Sequence, residues 1–140
     1  ARAAKTCLNN LILSASFVSH KNEVKVVQKE VLSWLKHSSN LTNQRKNKLD
    51  ELEGFDLIYL DPPYGSKLYL PVLETLLKEK WINKNAIVIC EHASEVSLET
   101  PLPWIEVDRR LYGNSSLLLV SPPESYYVDI DSKHQQTTLK

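Results

Sequence analysis

Phe55-Asp56-Leu57-Ile58-Tyr59-Leu60-Asp61-Pro62-Pro63-Tyr64 decides how this chain folds. Phe55 to Leu60 is a nearly continuous apolar run between Gly54 and a proline pair, the pattern of a central strand covered on both faces. Pro62 and Pro63 fix their φ angles and lack amide hydrogens, so the strand stops there. Downstream, Leu68, Val72, Leu73, Leu76 and Leu77 share one helical face between Leu68 and Trp81, with Pro71 tolerable in the first turn. Asn85 to Glu91 is a second continuous apolar strand. Trp104 to Leu111 and Ser115 to Val120 then read as two strands of an antiparallel pair, joined by the short Tyr112-Gly113-Asn114 connection.

Upstream, Ala4, Cys7, Leu8, Leu11 and Ile12 give Ala1 to Leu13 the spacing of one helix face. Ser14 to Asn22 is a polar connector, Glu23 to Gln28 is short and β-branched like a strand, and Val31, Leu32, Trp34 and Leu35 mark a short helix. Ser38 to Lys48 lacks apolar periodicity and reads as a mobile basic loop. The alternation of strands and helices implies an α/β fold: a parallel sheet with crossover helices and an antiparallel C-terminal edge hairpin. Residues 1–121 form the domain, and residues 122–140 read as a polar tail.

The chain has 140 residues, 42% of them apolar and 24% charged, which fits one globular domain with a real core. No apolar run approaches the roughly 18 residues of a membrane span, and no charged start leads into an apolar stretch as in a signal peptide, so the expected location is intracellular. Cys7 and Cys90 lie far apart and read as buried small apolar residues, not as a disulfide framework. His20, His37, His92 and His134 show no metal-ligand spacing, so no metal is expected. Gly54, Gly65 and Gly113 are too dispersed for a phosphate-cradling loop.

Zero net charge conceals an asymmetry: residues 1–48 carry nine Lys/Arg and two Asp/Glu, residues 49–140 eight and fifteen. A basic half can face nucleic-acid phosphate, or it can be one of two solvated faces of opposite sign.

In an open parallel sheet, ligands gather beyond the carboxyl ends of the strands, here Gln28 to Val31, Asp61 to Tyr64, and Glu91 to His92. Asp61-Pro62-Pro63-Tyr64 is the most informative of these. The prolines turn backbone carbonyls outward beside the Asp61 carboxylate. A carboxylate plus a carbonyl suits an exocyclic amino group, which offers two hydrogens, and Tyr64 supplies a face on which a base taken out of its helix can stack. The plainer alternative is a stiff turn that caps a strand.

Asp61-Pro62-Pro63-Tyr64 resembles the [DNS]PP[YFW] motif of S-adenosylmethionine-dependent methyltransferases that modify amino groups. The wider run, from Phe55 through Trp81 and Ile87 to Glu91 and on to Arg110-Leu111-Tyr112-Gly113-Asn114, is similar to the RsmD family. That family consists of guanine-N2 methyltransferases of bacterial small-subunit ribosomal RNA, with relatives in plastids. The resemblance implies a Rossmann-like class I methyltransferase sheet, S-adenosylmethionine as cofactor, ribosomal RNA or the small ribosomal subunit as partner, and a cytoplasmic location or a plastid stroma. It also implies roles: Asp61 and the Pro62 carbonyl hold the guanine amino group, Pro63 shapes the turn, and Tyr64 stacks on the base. Gln28-Lys29-Glu30-Val31 matches the segment beside the cofactor adenine, where Glu30 and Val31 stand in place of the usual Asp or Asn followed by Ala. The family's glycine-rich loop and ribose-binding acid precede the part matched by Ala1-Arg2, so an N-terminal section carrying those strands is expected, and Ala1 to Lys140 alone is expected to be inactive.

Weaker signals have structural explanations as well. Glu91-His92 reads as the polar end of a strand; alternation lets only one of Arg109 and Arg110 face a given phosphate; and Arg45, Lys46 and Lys48 are RNA-backbone contacts or a solvated loop. Tyr126-Tyr127 receives no role. Two other functions compete: an adenine-N6 or other nucleic-acid amino methyltransferase, and a noncatalytic RNA-binding module whose cofactor site is lost.

Overall fold

The computed structural model describes Thr6, Asn9, Asn10 and residues 26–44, 54–63 and 65–126. Its elements are α1 (Val31–Gln44), β1 (Phe55–Leu60), α2 (Tyr69–Lys78), β2 (Ile82–Ala93), β3 (Ile105–Tyr112) and β4 (Ser115–Ser121). Together the strands form one sheet in the order β1-β2-β4-β3. β1 and β2 run parallel around α2, whereas β4 is antiparallel to both β2 and β3. The expected edge hairpin is therefore present, and Gly113 turns it with φ at 57°.

Strand alternation builds the core. Ala86, Val88, Cys90 and His92 of β2, with Ser116, Leu118 and Val120 of β4, form the buried face, and Val72, Leu73 and Leu76 of α2 join it. Cys90 lies wholly inside, and burial pushes its thiol up to about 12, as suits a small apolar filler; Cys7 is outside the described residues. Trp81 ties α1 to the sheet. Its indole N–H donates to the Leu35 carbonyl at 3.1 Å, and its ring stacks on Trp34 at 5.1 Å and on Phe55 at 6.0 Å.

Several expectations need correction. Phe55–Leu60 is not covered on both faces: among the described residues it is the sheet edge, paired to β2 alone, and Phe55, Leu57 and Tyr59 are each about half exposed or more. Ile58 and Leu60, of opposite parity, pack against the core. Val26 to Gln28 form no strand, because β-branched propensity makes a strand only where a neighbouring ladder receives it; the rest of that expected strand lies outside the described residues.

The short helix at Val31 continues to Gln44, through much of the expected basic loop. No Gly or Pro interrupts this stretch, so the helix propagates through it. Residues 45–48 lie outside the described residues, as does the expected helix Ala1 to Leu13 apart from Thr6, which with Asn9 and Asn10 is helical.

α2 ends at Lys78, short of the Trp81 suggested by its spacing. Lys80 adopts φ 57°, its amide bonds the Leu77 carbonyl at 3.2 Å and the Trp81 amide bonds the Leu76 carbonyl at 3.0 Å, the pairing of a Schellman cap. β2 runs from Ile82 to Ala93, longer than Asn85 to Glu91, because Ile82 pairs with Phe55 and Ala93 with Ser115. Tyr126, given to the polar tail by sequence pattern, packs against the core and donates its hydroxyl to the Leu77 carbonyl at 2.8 Å.

Candidate functional site

β1 delivers Asp61 at its carboxyl end, where the chain turns at once. Asp61 and Pro63 are exposed and Pro62 is half-buried; Tyr64 lies outside the described residues. The Ser66 amide donates to the Pro63 carbonyl at 3.0 Å, and Gly65 takes φ 74°, so a tight turn separates β1 from α2. The Asp61 carboxylate thus stands on a rigid strand end, next to a proline whose backbone cannot donate.

Register places Glu91 next to this turn. Leu60 pairs with Cys90, so the following residues, Asp61 and Glu91, emerge side by side from adjacent parallel strands about 4.8 Å apart. Both have the parity of Tyr59 and Ile89, the open face of the sheet. Glu91 is held from two sides: the Tyr59 hydroxyl donates to its Oε2, and the Tyr69 hydroxyl, from the start of α2, donates to its backbone carbonyl.

The Tyr59 hydrogen bond, with one from Ser115, keeps the Glu91 carboxyl below its ordinary range. The same bond, then desolvation and the charges of Glu91 and Asp61, pushes Tyr59 up to about 12. Glu91 is thus an anion and Tyr59 a neutral donor. His92 points the other way and is buried, with Nδ1 2.9 Å from the Ala93 carbonyl, consistent with the structural reading of that residue.

Glu30 and Val31 lie at the start of α1. Glu30 accepts the Leu32 amide at 3.0 Å through Oε1 and the Ser33 amide at 2.6 Å through Oε2, while its own carbonyl accepts the Trp34 amide at 3.0 Å. It is the N-cap of α1. Those two backbone hydrogen bonds lower its pKa, and both Glu30 and Val31 remain exposed. Lys29, Glu30, Ser33, Trp34 and His37 line an open groove here.

The structure thus groups Asp61, Pro62 and Pro63 with Glu91, Tyr59 and Tyr69 at one end of β1 and β2, and sets Glu30 and Val31 at the head of α1. Sequence pattern alone missed Tyr59 and Tyr69; the shared parity of Tyr59 and Asp61 was the available signal. Arg109 and Arg110 both pair along their own strand, Arg109 with Glu106 at 2.9 Å and Arg110 with Asp108 at 2.6 Å. Among the described residues no group of three or more His, Cys, Asp or Glu could hold a metal ion, and no helix is long and apolar enough to cross a membrane.

Residues 11–121 match the profile of the family described as conserved hypothetical protein 95. Among curated proteins, the chain is 28% identical over 81 residues to ribosomal RNA small subunit methyltransferase D of Buchnera aphidicola from Acyrthosiphon pisum, covering 58% of this chain and 36% of that protein. It is 24% identical over 110 residues to the protein of the same name from Haemophilus influenzae, covering 78% of this chain and 51% of that one. It therefore spans about half or less of the length of these relatives.

Among solved structures, the putative methylase HI0767 of Haemophilus influenzae superposes with a TM-score of 0.59 at 22% identity, over 84% of this chain and 65% of that one. A putative methyltransferase, yhhF, from Escherichia coli gives a TM-score of 0.56 at 16% identity, over 84% and 55%. These likenesses establish the fold, a mixed α/β sheet of the class I methyltransferase type.

Proposed function

The chain belongs to the family of conserved hypothetical protein 95, the RsmD family, and from that membership we propose that it is the target-base side of an S-adenosylmethionine-dependent RNA methyltransferase acting on the exocyclic N2 of a guanine in small-subunit ribosomal RNA. The observation that carries this reading is the Asp61-Pro62-Pro63 turn, held rigidly at the carboxyl end of β1 where an α/β sheet receives its ligand.

The carboxylate of Asp61 accepts a hydrogen from the guanine amine, aims the nitrogen and is the acceptor at hand for the proton that leaves. The turn presents the Pro62 carbonyl for the second hydrogen, Pro63 keeps the turn closed through Ser66, and Tyr64 stacks on the base. S-adenosylmethionine, when bound, supplies an activated methyl group.

For the cofactor, the donor chemistry fits in part. Val31 offers an exposed apolar surface, and Glu30 offers carboxylate lone pairs beyond those used in capping α1. Ribosomal RNA or the small ribosomal subunit is the partner, in bacterial cytoplasm or a plastid stroma. Calorimetry with S-adenosylmethionine tests this on two proteins: Ala1 to Lys140, and the same chain preceded by about 60 residues encoded upstream, the length of a βαβ unit with its flanks. Binding by the longer protein alone is expected, and binding by neither overturns the enzyme reading.

A further inference from the structure

We infer that Glu91 determines base specificity: held by Tyr59, its carboxylate accepts the N1–H of the guanine whose amino group Asp61 holds. This rests on the function proposed above and names what makes the site select guanine.

Guanine presents two adjacent kinds of donor on one edge, N1–H and the N2 amino group. Reading them takes two acceptors close together, and the β1–β2 register, which pairs Leu60 with Cys90, brings the next residues, Asp61 and Glu91, out at the same end of adjacent strands. The Tyr59 hydroxyl donates to Glu91 and also feels the charge of Asp61, so both carboxylates lie on the Tyr59 side of the strand end. An ionised carboxylate has about four lone-pair positions; Tyr59 and Ser115 occupy two on Glu91 and leave acceptor capacity for a ligand.

The clamp also sets direction. Tyr59 donates to the carboxylate from within β1 and Tyr69 anchors the backbone of Glu91, so side chain and backbone are each held at one point. Tyr59 is accordingly a positioning residue. The consequence for selectivity is chemical: adenine carries a lone pair at N1, which an anionic acceptor repels, and 2-aminopurine keeps the 2-amino group of guanine but has that same lone pair.

The test uses the full-length protein and small-subunit RNA in which the methylated guanine, once located, is retained or replaced by 2-aminopurine. In Glu91→Gln the side-chain amide can donate to an N1 lone pair. The preference for guanine over 2-aminopurine, as a ratio of kcat/KM, is expected to fall by roughly tenfold or more. Tyr59→Phe should reduce the same ratio by a smaller factor.

Because the ratio is internal to each variant, a folding defect that lowers both rates equally does not imitate it. Methylation of guanine by the unaltered protein with an unchanged ratio in Glu91→Gln overturns this inference and leaves the proposed function standing. No methylation of either RNA by the unaltered protein overturns both.

Discussion

Glu30 shows how a single side chain can be read two ways. Resemblance assigns it to a cofactor edge, while the structure has both its carboxylate oxygens on the first amides of α1. Those amides are unpaired at any helix start, and an anion there also meets the positive end of the helix dipole. Because the bonds lower the folded-state pKa of Glu30, the stability it adds is present above its unfolded value and is lost as pH falls through the lowered folded value. Glu30→Ala should therefore melt a few degrees below the unaltered chain at pH 7. Melting curves repeated in acid should show that gap closing once the carboxyl is protonated; a gap that persists unchanged would assign the loss to something other than the charged cap. Glu91 illustrates the opposite case, since its position after an apolar strand was visible but the Tyr59 and Tyr69 hydroxyls that hold it were not.

The strands and α2 were legible because their signals are local. Continuous apolar runs marked β1 and β2, alternation marked β3, an apolar run after the short Tyr112-Gly113-Asn114 connection marked β4, and a single apolar stripe marked α2. What was not legible depends on partners or on one unusual torsion. The exposure of β1 reflects what lies beside it, which its composition does not encode. Gly54 is a further example: a Cβ there would lie 2.5 Å from the Ile82 carbonyl carbon, so the close approach of β1 to β2 requires glycine.

The end of α2 was missed because Lys80, not glycine, occupies the left-handed position of its cap. That conformation costs an L-residue roughly 1–2 kcal/mol, partly offset by the greater freedom of glycine in the unfolded chain. Lys80→Gly should raise stability by about 1 kcal/mol in urea titration, and a loss of stability would show that Lys80 contributes more than its backbone.

Across the molecule, the proposed reaction assigns its two reactants to two clusters: the Asp61 turn with Glu91, and the head of α1 with Glu30 and Val31. The Asp-Pro-Pro-Tyr motif made the first cluster legible, since a double proline after an apolar strand leaves few alternatives to an acceptor-lined turn. The second is assigned through resemblance alone, because a cap and a ligand contact call for the same residue type at a helix start.

The most direct measurement is transfer of labelled methyl from S-adenosylmethionine to methyl-deficient small ribosomal subunits by the full-length protein, followed by nucleoside analysis. N2-methylguanosine is expected at one site, with the rate lowered roughly 100-fold or more by Asp61→Ala. Label in N6-methyladenosine, or none in RNA at all, would contradict it.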